Sequence, residues 1–246
     1  MSAERQEYSE SSPWWGEHVF RYTVLFEYLK DSDKILDLAC GNGYGTYLLC
    51  HKTKETVIGG DIDAKAIELC KVQFKNENLN YELLNGTKLP FENDSFNIVV
   101  SFETIEHTKE YKSMVAEFKR ILMPGGLLFI STPNSLVTSP DGVIKNPFHT
   151  QEWKPQELKE MLDQFFADVK LYGQSFDRYQ KKNGIAFLME KILYFRGIRK
   201  LPLKFQDGIM RLLGKDSIYP QPHEFSLKGY SSGIENCPTL FAICRK

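Results

Sequence analysis

The chain has 246 residues, 42% of them apolar and 26% charged, so it can bury a large core and is not a disordered segment. Its 31 basic and 32 acidic residues leave a net charge of −1, which removes any chain-wide electrostatic case for nucleic acid or an acidic membrane surface. No stretch approaches the roughly 18 uninterrupted apolar residues of a membrane span, and the first twenty residues carry acids instead of an apolar block; the expected compartment is the cytoplasm. Cys40, Cys50, Cys70, Cys237 and Cys244 are odd in number and lack C-x-x-C spacing, so they are expected to be reduced core thiols and not zinc ligands.

In chain order, Trp15, Val19, Tyr22 and Phe26 recur at helical spacing and predict an N-terminal helix within 14–30. Short apolar runs follow at 34–39, 56–61, 80–84, 96–102 and 126–132, several apolar at consecutive positions, as strands covered on both faces are. Between them lie helical periods through Ile67, Cys70 and Phe74, and through Tyr111, Met114, Val115, Phe118 and Leu122. Pro124-Gly125-Gly126 is expected to stop the second of these helices. Pro155 is placed to open a further helix, then come a strand near 167–175 and a last one at 239–246 as a closing antiparallel edge. The alternation implies an α/β fold with a parallel sheet. The stretch 176–222 holds ten Lys/Arg and four acids, with apolar spacings that favour two amphipathic helices inserted before the last strand.

The most informative segment is ILDLACGNGYGT (35–46), in which a strand bearing Asp37 runs into Gly41, Gly43 and Gly45 and then a helix. Glycines there let the backbone turn sharply and approach a ligand closely. Asp61 follows twenty residues after Gly41, at the end of the second strand, where a carboxylate can accept both hydroxyls of a ribose. Such charge-assisted bonds contribute about 1.5–3 kcal/mol each, enough to govern nucleoside recognition. The glycines alternate instead of following G-x-G-x-x-G, and Asp37 would repel a pyrophosphate while attracting a sulfonium or ammonium. The pattern therefore favours S-adenosylmethionine over a nicotinamide dinucleotide.

Through ILDLACGNGYG, VIGGDID (57–63), NGTKLPFENDSFNIVVSFETIEH (85–107) and ILMPGGLLFISTPN (121–134), the chain resembles the class I S-adenosylmethionine-dependent methyltransferases. EHVFRY (17–22) and NPFHTQEWKPQEL (146–158) look like a bacterial subset associated with sugars and cell-surface glycans, and more distantly like ubiquinone-pathway O-methyltransferases. The resemblance implies a Rossmann-like doubly wound sheet of seven strands in the order 3-2-1-4-5-7-6, strand 7 antiparallel. An N-terminal helical cap (1–32), a core (33–175), a basic helical insertion or lid (176–232) and a final core strand (233–246) are expected. It places Asp37, Ala39, Gly41, Asn42 and Gly43 along the methionine part of the cofactor, Asp61 on the ribose and Ile62 against adenine. Asn85, Gly86 and Thr87 would border the adenine edge, Phe102 and Glu103 would lie beside the sulfonium, and Arg21 would pair with the methionine carboxylate. Asn85 stands where the family usually has Asp, which would weaken adenine recognition, and Asn97 where SFD is common, which reads as structural.

Transfer of a methyl group needs chiefly an aligned acceptor, worth about 7–11 kcal/mol of barrier, so no nucleophilic side chain is required. A hydroxyl acceptor also needs a base. The candidates are His107, at the carboxyl edge of the sheet, and Glu103, with His149 expected to reach substrate from a flexible loop. Glu106 and Asp141 do not form a metal set, and no metal is expected. The expected acceptor is a small molecule such as a sugar or glycan precursor, methylated on oxygen, with N-methylation of an amine as the alternative and a cofactor-holding module that transfers nothing as a reading of another class. No nucleic-acid partner is expected; the basic stretch could cover the acceptor, touch a phosphorylated or lipid-linked substrate, or be a solvated face.

Overall fold

The computed structural model describes Ser12, residues 14–177, Phe205, Gly208 and residues 219–246. The chain divides into two compact units, 24–175 with 227–246 and 1–23 with 176–226. In order, α1 (Trp15–Leu25) is followed by β1 (Ile35–Leu38), α2 (Tyr44–Cys50), β2 (Val57–Asp61), α3 (Ala64–Gln73) and β3 (Leu79–Leu83). Then come β4 (Phe96–Phe102), α4 (Tyr111–Ile121), β5 (Leu122–Pro133), α5 (Ser135–Thr138), α6 (Pro155–Asp163), β6 (Asp168–Phe176), β7 (Phe225–Gly229) and β8 (Thr239–Arg245).

The strands form one sheet in the order β3-β2-β1-β4-β5-β8-β6-β7. β1 runs parallel to β2 and β4, β2 to β3, and β4 to β5, whereas β8 is antiparallel to both β5 and β6. The seven-strand order expected from the sequence is therefore present, but an eighth strand, β7, stands beyond β6. It falls inside the stretch 176–232 that was expected to be a helical insertion. FSLKG does alternate apolar and polar side chains, but over only four positions before a glycine, and its residues are all half-buried. The two helices expected near 188–195 and 205–213 lie outside the described residues.

Local chemistry explains most boundaries. Every residue of β1 and β2 is buried, as strands with both faces covered must be. Asp63 starts α3 by accepting the Lys65 amide at 2.8 Å, and Pro155 opens α6 where its missing N–H costs nothing. The end of α4 differs from expectation: the helix stops at Ile121, before Pro124-Gly125-Gly126. Leu122 already pairs with Phe96, and Met123, preceding a proline, is biased to extended backbone. Gly125, at φ 79°, then bends β5 before Leu127 resumes pairing with Ile98.

In the larger unit, α4 and α6 pack Met114, Val115, Phe118, Leu158 and Leu162 with strand residues such as Val99, Leu128 and Leu240 in one core. Asn97, the departure from SFD, is structural: its Oδ1 accepts the Lys34 amide at 2.9 Å at the entry to β1. All five cysteines are free and buried, as read. In the smaller unit, a side chain on Gly16 would collide with the Pro220 carbonyl, and Phe225 packs on Phe20 and Phe176 at centroid distances of 6.0 and 5.0 Å. Among the described residues, no helix is long and apolar enough to cross a membrane.

Asn134 ties the end of β5 to the turn before β8. Its buried Nδ2 donates to the carbonyls of Cys237, Glu235 and Ile234 at 2.9, 3.1 and 3.3 Å, while its Oδ1 accepts the Leu136 amide at 3.1 Å. Removing that amide leaves buried carbonyls without their donor. Asn134→Ala is expected to lower stability by about 1–3 kcal/mol, read as a lower urea midpoint with unchanged slope.

Candidate functional site at the carboxyl ends of the strands

The glycine loop is built by backbone strain and close packing. Ala39, Gly41 and Gly43 take φ values of 62°, 56° and 77°, in the left-handed region that favours glycine. A side chain on Gly43 would meet Cys70 Sγ at 2.6 Å and the Tyr81 hydroxyl at 2.9 Å, so the loop rests directly on α3 and β3. The Tyr81 hydroxyl donates to the Gly43 carbonyl at 2.6 Å and Cys70 Sγ to that of Gly41 at 3.3 Å. A hydrogen bond with Cys70 and burial push the Cys40 thiol up, so it stays protonated.

Two carboxylates brace this loop and the helix that follows it. Asp37, buried within β1, accepts from Thr46 Oγ1 at 2.7 Å and so pins the first turn of α2 to the strand. Asp61, at the end of β2, accepts the amides of Gly41 and Asp63 at 3.0 and 2.9 Å. The adjoining Ile62 is 73% exposed, which leaves its apolar face to a flat ligand.

A cavity of about 280 Å³ opens beside this loop, lined among others by Ala39, Asp61, Ile62, Gly86, Thr104 and His107. Asn85 and Thr87 border it too, and Asn85 Oδ1 accepts the Thr87 amide and hydroxyl at 3.0 and 2.9 Å. That turn needs only an oxygen acceptor, which Asn supplies as well as the family's usual Asp would. Asp37, Gly41, Asn42, Gly43, Phe102 and Glu103 do not line this cavity. Phe102 packs on Phe241 at 5.6 Å, and Glu103, at φ 49°, takes a hydrogen bond from Ser131 Oγ at 2.7 Å. Arg21 belongs to the smaller unit, where its guanidinium meets Glu17 at 2.6 Å.

After β4, the turn Ile105–His107 brings His107 to the cavity wall with its side chain 34% exposed. Its Nδ1 lies 3.2 Å from the Phe148 carbonyl and its Nε2 3.9 Å from Glu106 Oε1. The His149 ring stands edge-on to it at 5.0 Å. His149 was expected on a flexible loop reaching for substrate, but both its nitrogens have partners: Nδ1 lies 2.8 Å from Glu152 Oε1 and Nε2 2.9 Å from Asn146 Nδ2. Thr150 further ties the segment down, donating from its amide and hydroxyl to the Glu106 carbonyl at 2.7 and 3.0 Å. A second cavity, about 500 Å³ and lined by polar groups including Ser135, Ser139, Gln151 and Lys154, is built within 135–157.

Glu152 and Asn146 are the residues that sequence reasoning missed; the only sequence signal was the H-x-x-E spacing of His149 and Glu152. Burial pushes the Glu152 carboxyl up, yet the hydroxyls of Ser139 and Thr138 and the His149 ring together hold it below the ordinary glutamate range. A lowered pKa contributes stability that is complete above the ordinary glutamate range and lost as pH falls through the lowered value. Glu152→Gln is therefore expected to be less stable than the parent at neutral pH, with the difference narrowing in acid below the ordinary glutamate range, as measured by urea midpoints across pH.

Comparison with known proteins agrees with this geometry. The family described as "Methyltransferase domain" matches residues 36–130. A Mycolicibacterium smegmatis protein described as a probable S-adenosylmethionine-dependent methyltransferase is 33% identical over 156 residues, 63% of this chain and 59% of the relative. A Mycobacterium tuberculosis protein of the same description is 35% identical over 163 residues, 65% of this chain and 58% of the relative. The chain thus spans less than two thirds of the length of these relatives. Among solved structures, a SAM-dependent methyltransferase from Archaeoglobus fulgidus superposes with TM-score 0.58 at 18% identity, covering 94% of each chain. The [4+2]-cyclase SpnF superposes equally well, TM-score 0.58 at 15% identity over 99% of this chain and 88% of that one. At such identities the likeness shows the fold alone. The matched segment, with its loop, Asp61 and sheet order, is similar to the class I S-adenosylmethionine-dependent methyltransferases.

Proposed function

We propose that this protein transfers a methyl group from S-adenosylmethionine to a hydroxyl of a small molecule such as a sugar or glycan precursor. The observation that carries the reading is the cavity at the carboxyl ends of the parallel strands, lined by Asp61, Ile62 and His107. The residues fit such a cofactor: Gly41 turns with nothing within 4 Å of where a Cβ would stand, an acidic acceptor lies beside it, and an exposed apolar face follows. When bound, the cofactor supplies an activated methyl group on a sulfonium.

The chain's own residues do the rest. Asp61 offers a carboxylate to ribose hydroxyls, and Ile62 with Gly86 and Thr87 encloses a flat, largely apolar base. Thr104 and His107 also line the cavity, while Glu103 is held by Ser131. The choice of oxygen over nitrogen rests on His107: a hydroxyl must lose its proton on methylation, and His107 is the imidazole lining the cavity that can take it. A neutral amine would need only positioning.

A single turnover with methyl-labelled cofactor over a panel of sugars, quinols and amines tests the reading. Label retained by a sugar or quinol as a methyl ether supports it; label on an amine, or cofactor bound without transfer to any acceptor, overturns it. Asp61→Ala is expected to abolish cofactor binding by calorimetry. His107→Ala is expected to leave that binding intact and slow transfer about 100- to 10,000-fold.

A further inference from the structure

The side chains at the turn after β4 point to a ligand of a different kind. Glu106, His107 and His149 each bring one donor atom to within 4.8 Å of the others. The Glu106 side chain is 1% exposed and fixed by a hydrogen bond from Thr132 Oγ1 at 2.9 Å. A carboxylate buried to that degree strongly favours positive charge beside it.

Both imidazoles are oriented as metal-ligating histidines are. His107 Nδ1 faces the Phe148 carbonyl at 3.2 Å and His149 Nδ1 faces Glu152 Oε1 at 2.8 Å. A backbone carbonyl and a carboxylate both demand a proton on Nδ1, which assigns the lone pair of each ring to Nε2. Asn146 agrees for His149: its Oδ1 accepts the Phe148 amide at 3.0 Å, so its Nδ2, 2.9 Å from His149 Nε2, donates to that lone pair. His107 Nε2 and Glu106 Oε1, at 3.9 Å, are too far apart for a hydrogen bond. Two bonds of about 2.0–2.2 Å to a shared ion hold their donor atoms roughly 3–4 Å apart.

We propose that Glu106, His107 and His149 bind a first-row divalent transition-metal ion of the zinc, manganese or cobalt type. Two imidazoles and one carboxylate suit these ions, whereas magnesium and calcium prefer an all-oxygen set. Binding draws the three donors together and displaces the Asn146 amide from His149, while Glu152 and the Phe148 carbonyl keep the rings aimed. The sequence-based expectation of no metal looked for clustered carboxylates and did not pair residues 106 and 107 with 149. The inference deepens the methyltransferase reading of the same site: His107 lines the cavity, so positions left open on the ion are available to an acceptor oxygen.

The test is direct binding to chelator-stripped protein, by calorimetry with Zn²⁺ and by visible absorption with Co²⁺, with circular dichroism on every variant. One equivalent of Zn²⁺ is expected to bind in the presence of millimolar Mg²⁺, and Co²⁺ to develop a ligand-field band. His149→Ala and Glu106→Gln are expected to abolish both signals, as is His107→Ala, a partly exposed position that keeps the test open should the buried variants fail to fold. Glu152→Gln is expected to weaken Zn²⁺ about 10- to 100-fold. Absence of Zn²⁺ and Co²⁺ binding, equal competition by Mg²⁺, or unchanged binding in folded His107→Ala overturns the proposal. Cofactor binding is measured on the same stripped sample: cofactor without metal defeats this inference alone, and metal without cofactor defeats the methyltransferase reading alone.

Discussion

The Asp61 carboxylate, with one oxygen on the Gly41 amide and the other on the Asp63 amide, is the interaction on which the site depends. A loop with three consecutive odd residues in left-handed backbone is conformationally expensive, particularly at Ala39, which carries a Cβ. The cost is offset because β1 and β2 are in parallel register, Leu38 opposite Gly60, and so deliver loop and acid to the same end of the sheet. Asp37 secures α2 through Thr46, and Tyr81 secures the Gly43 carbonyl. Any of these contacts alone contributes little; together they define where a nucleoside can lie.

Much of this was legible because it is local. Strand, glycine loop, helix and acid occupy residues 35–61 as a contiguous pattern, and the structure puts them where the pattern says. The parallel order followed from alternation of elements, since crossovers through helices leave few choices. Two features escaped for physical reasons. β7 alternates apolar and polar residues over only Phe225 to Lys228, too short a run to stand out, and it lies inside a stretch that reads as helical. The end of α4 was misread because Leu122 satisfies both the helical period and the pairing with Phe96, and pairing wins.

The histidine cluster was only half legible. His107 could be placed from its position after the fourth strand. Its relation to His149 could not, because it requires the 134–153 segment to fold back, with Asn134 bridging to Trp153 and Thr150 hydrogen-bonding the Glu106 carbonyl. A segment rich in Pro, Asn and Gly reads as loose, yet here its polar side chains serve as its internal scaffold: Asn146, Thr138, Ser139 and Glu152 hold one another and the imidazole. Loop composition forecasts the absence of regular structure and says little about order.

The placement of β8 between β5 and β6 bears on how the molecule is assembled. Residues 239–245 supply the link between β5 and β6, so β5 has an unpaired edge, and β6 no connection to the parallel strands, until β8 has been made. On the ribosome the nucleoside-binding half can condense early from near-neighbour crossovers, whereas closure of the sheet waits for a pairing more than a hundred residues distant. During that interval the buried apolar run of β5, Leu127 to Ile130, is an open template for strands of other molecules.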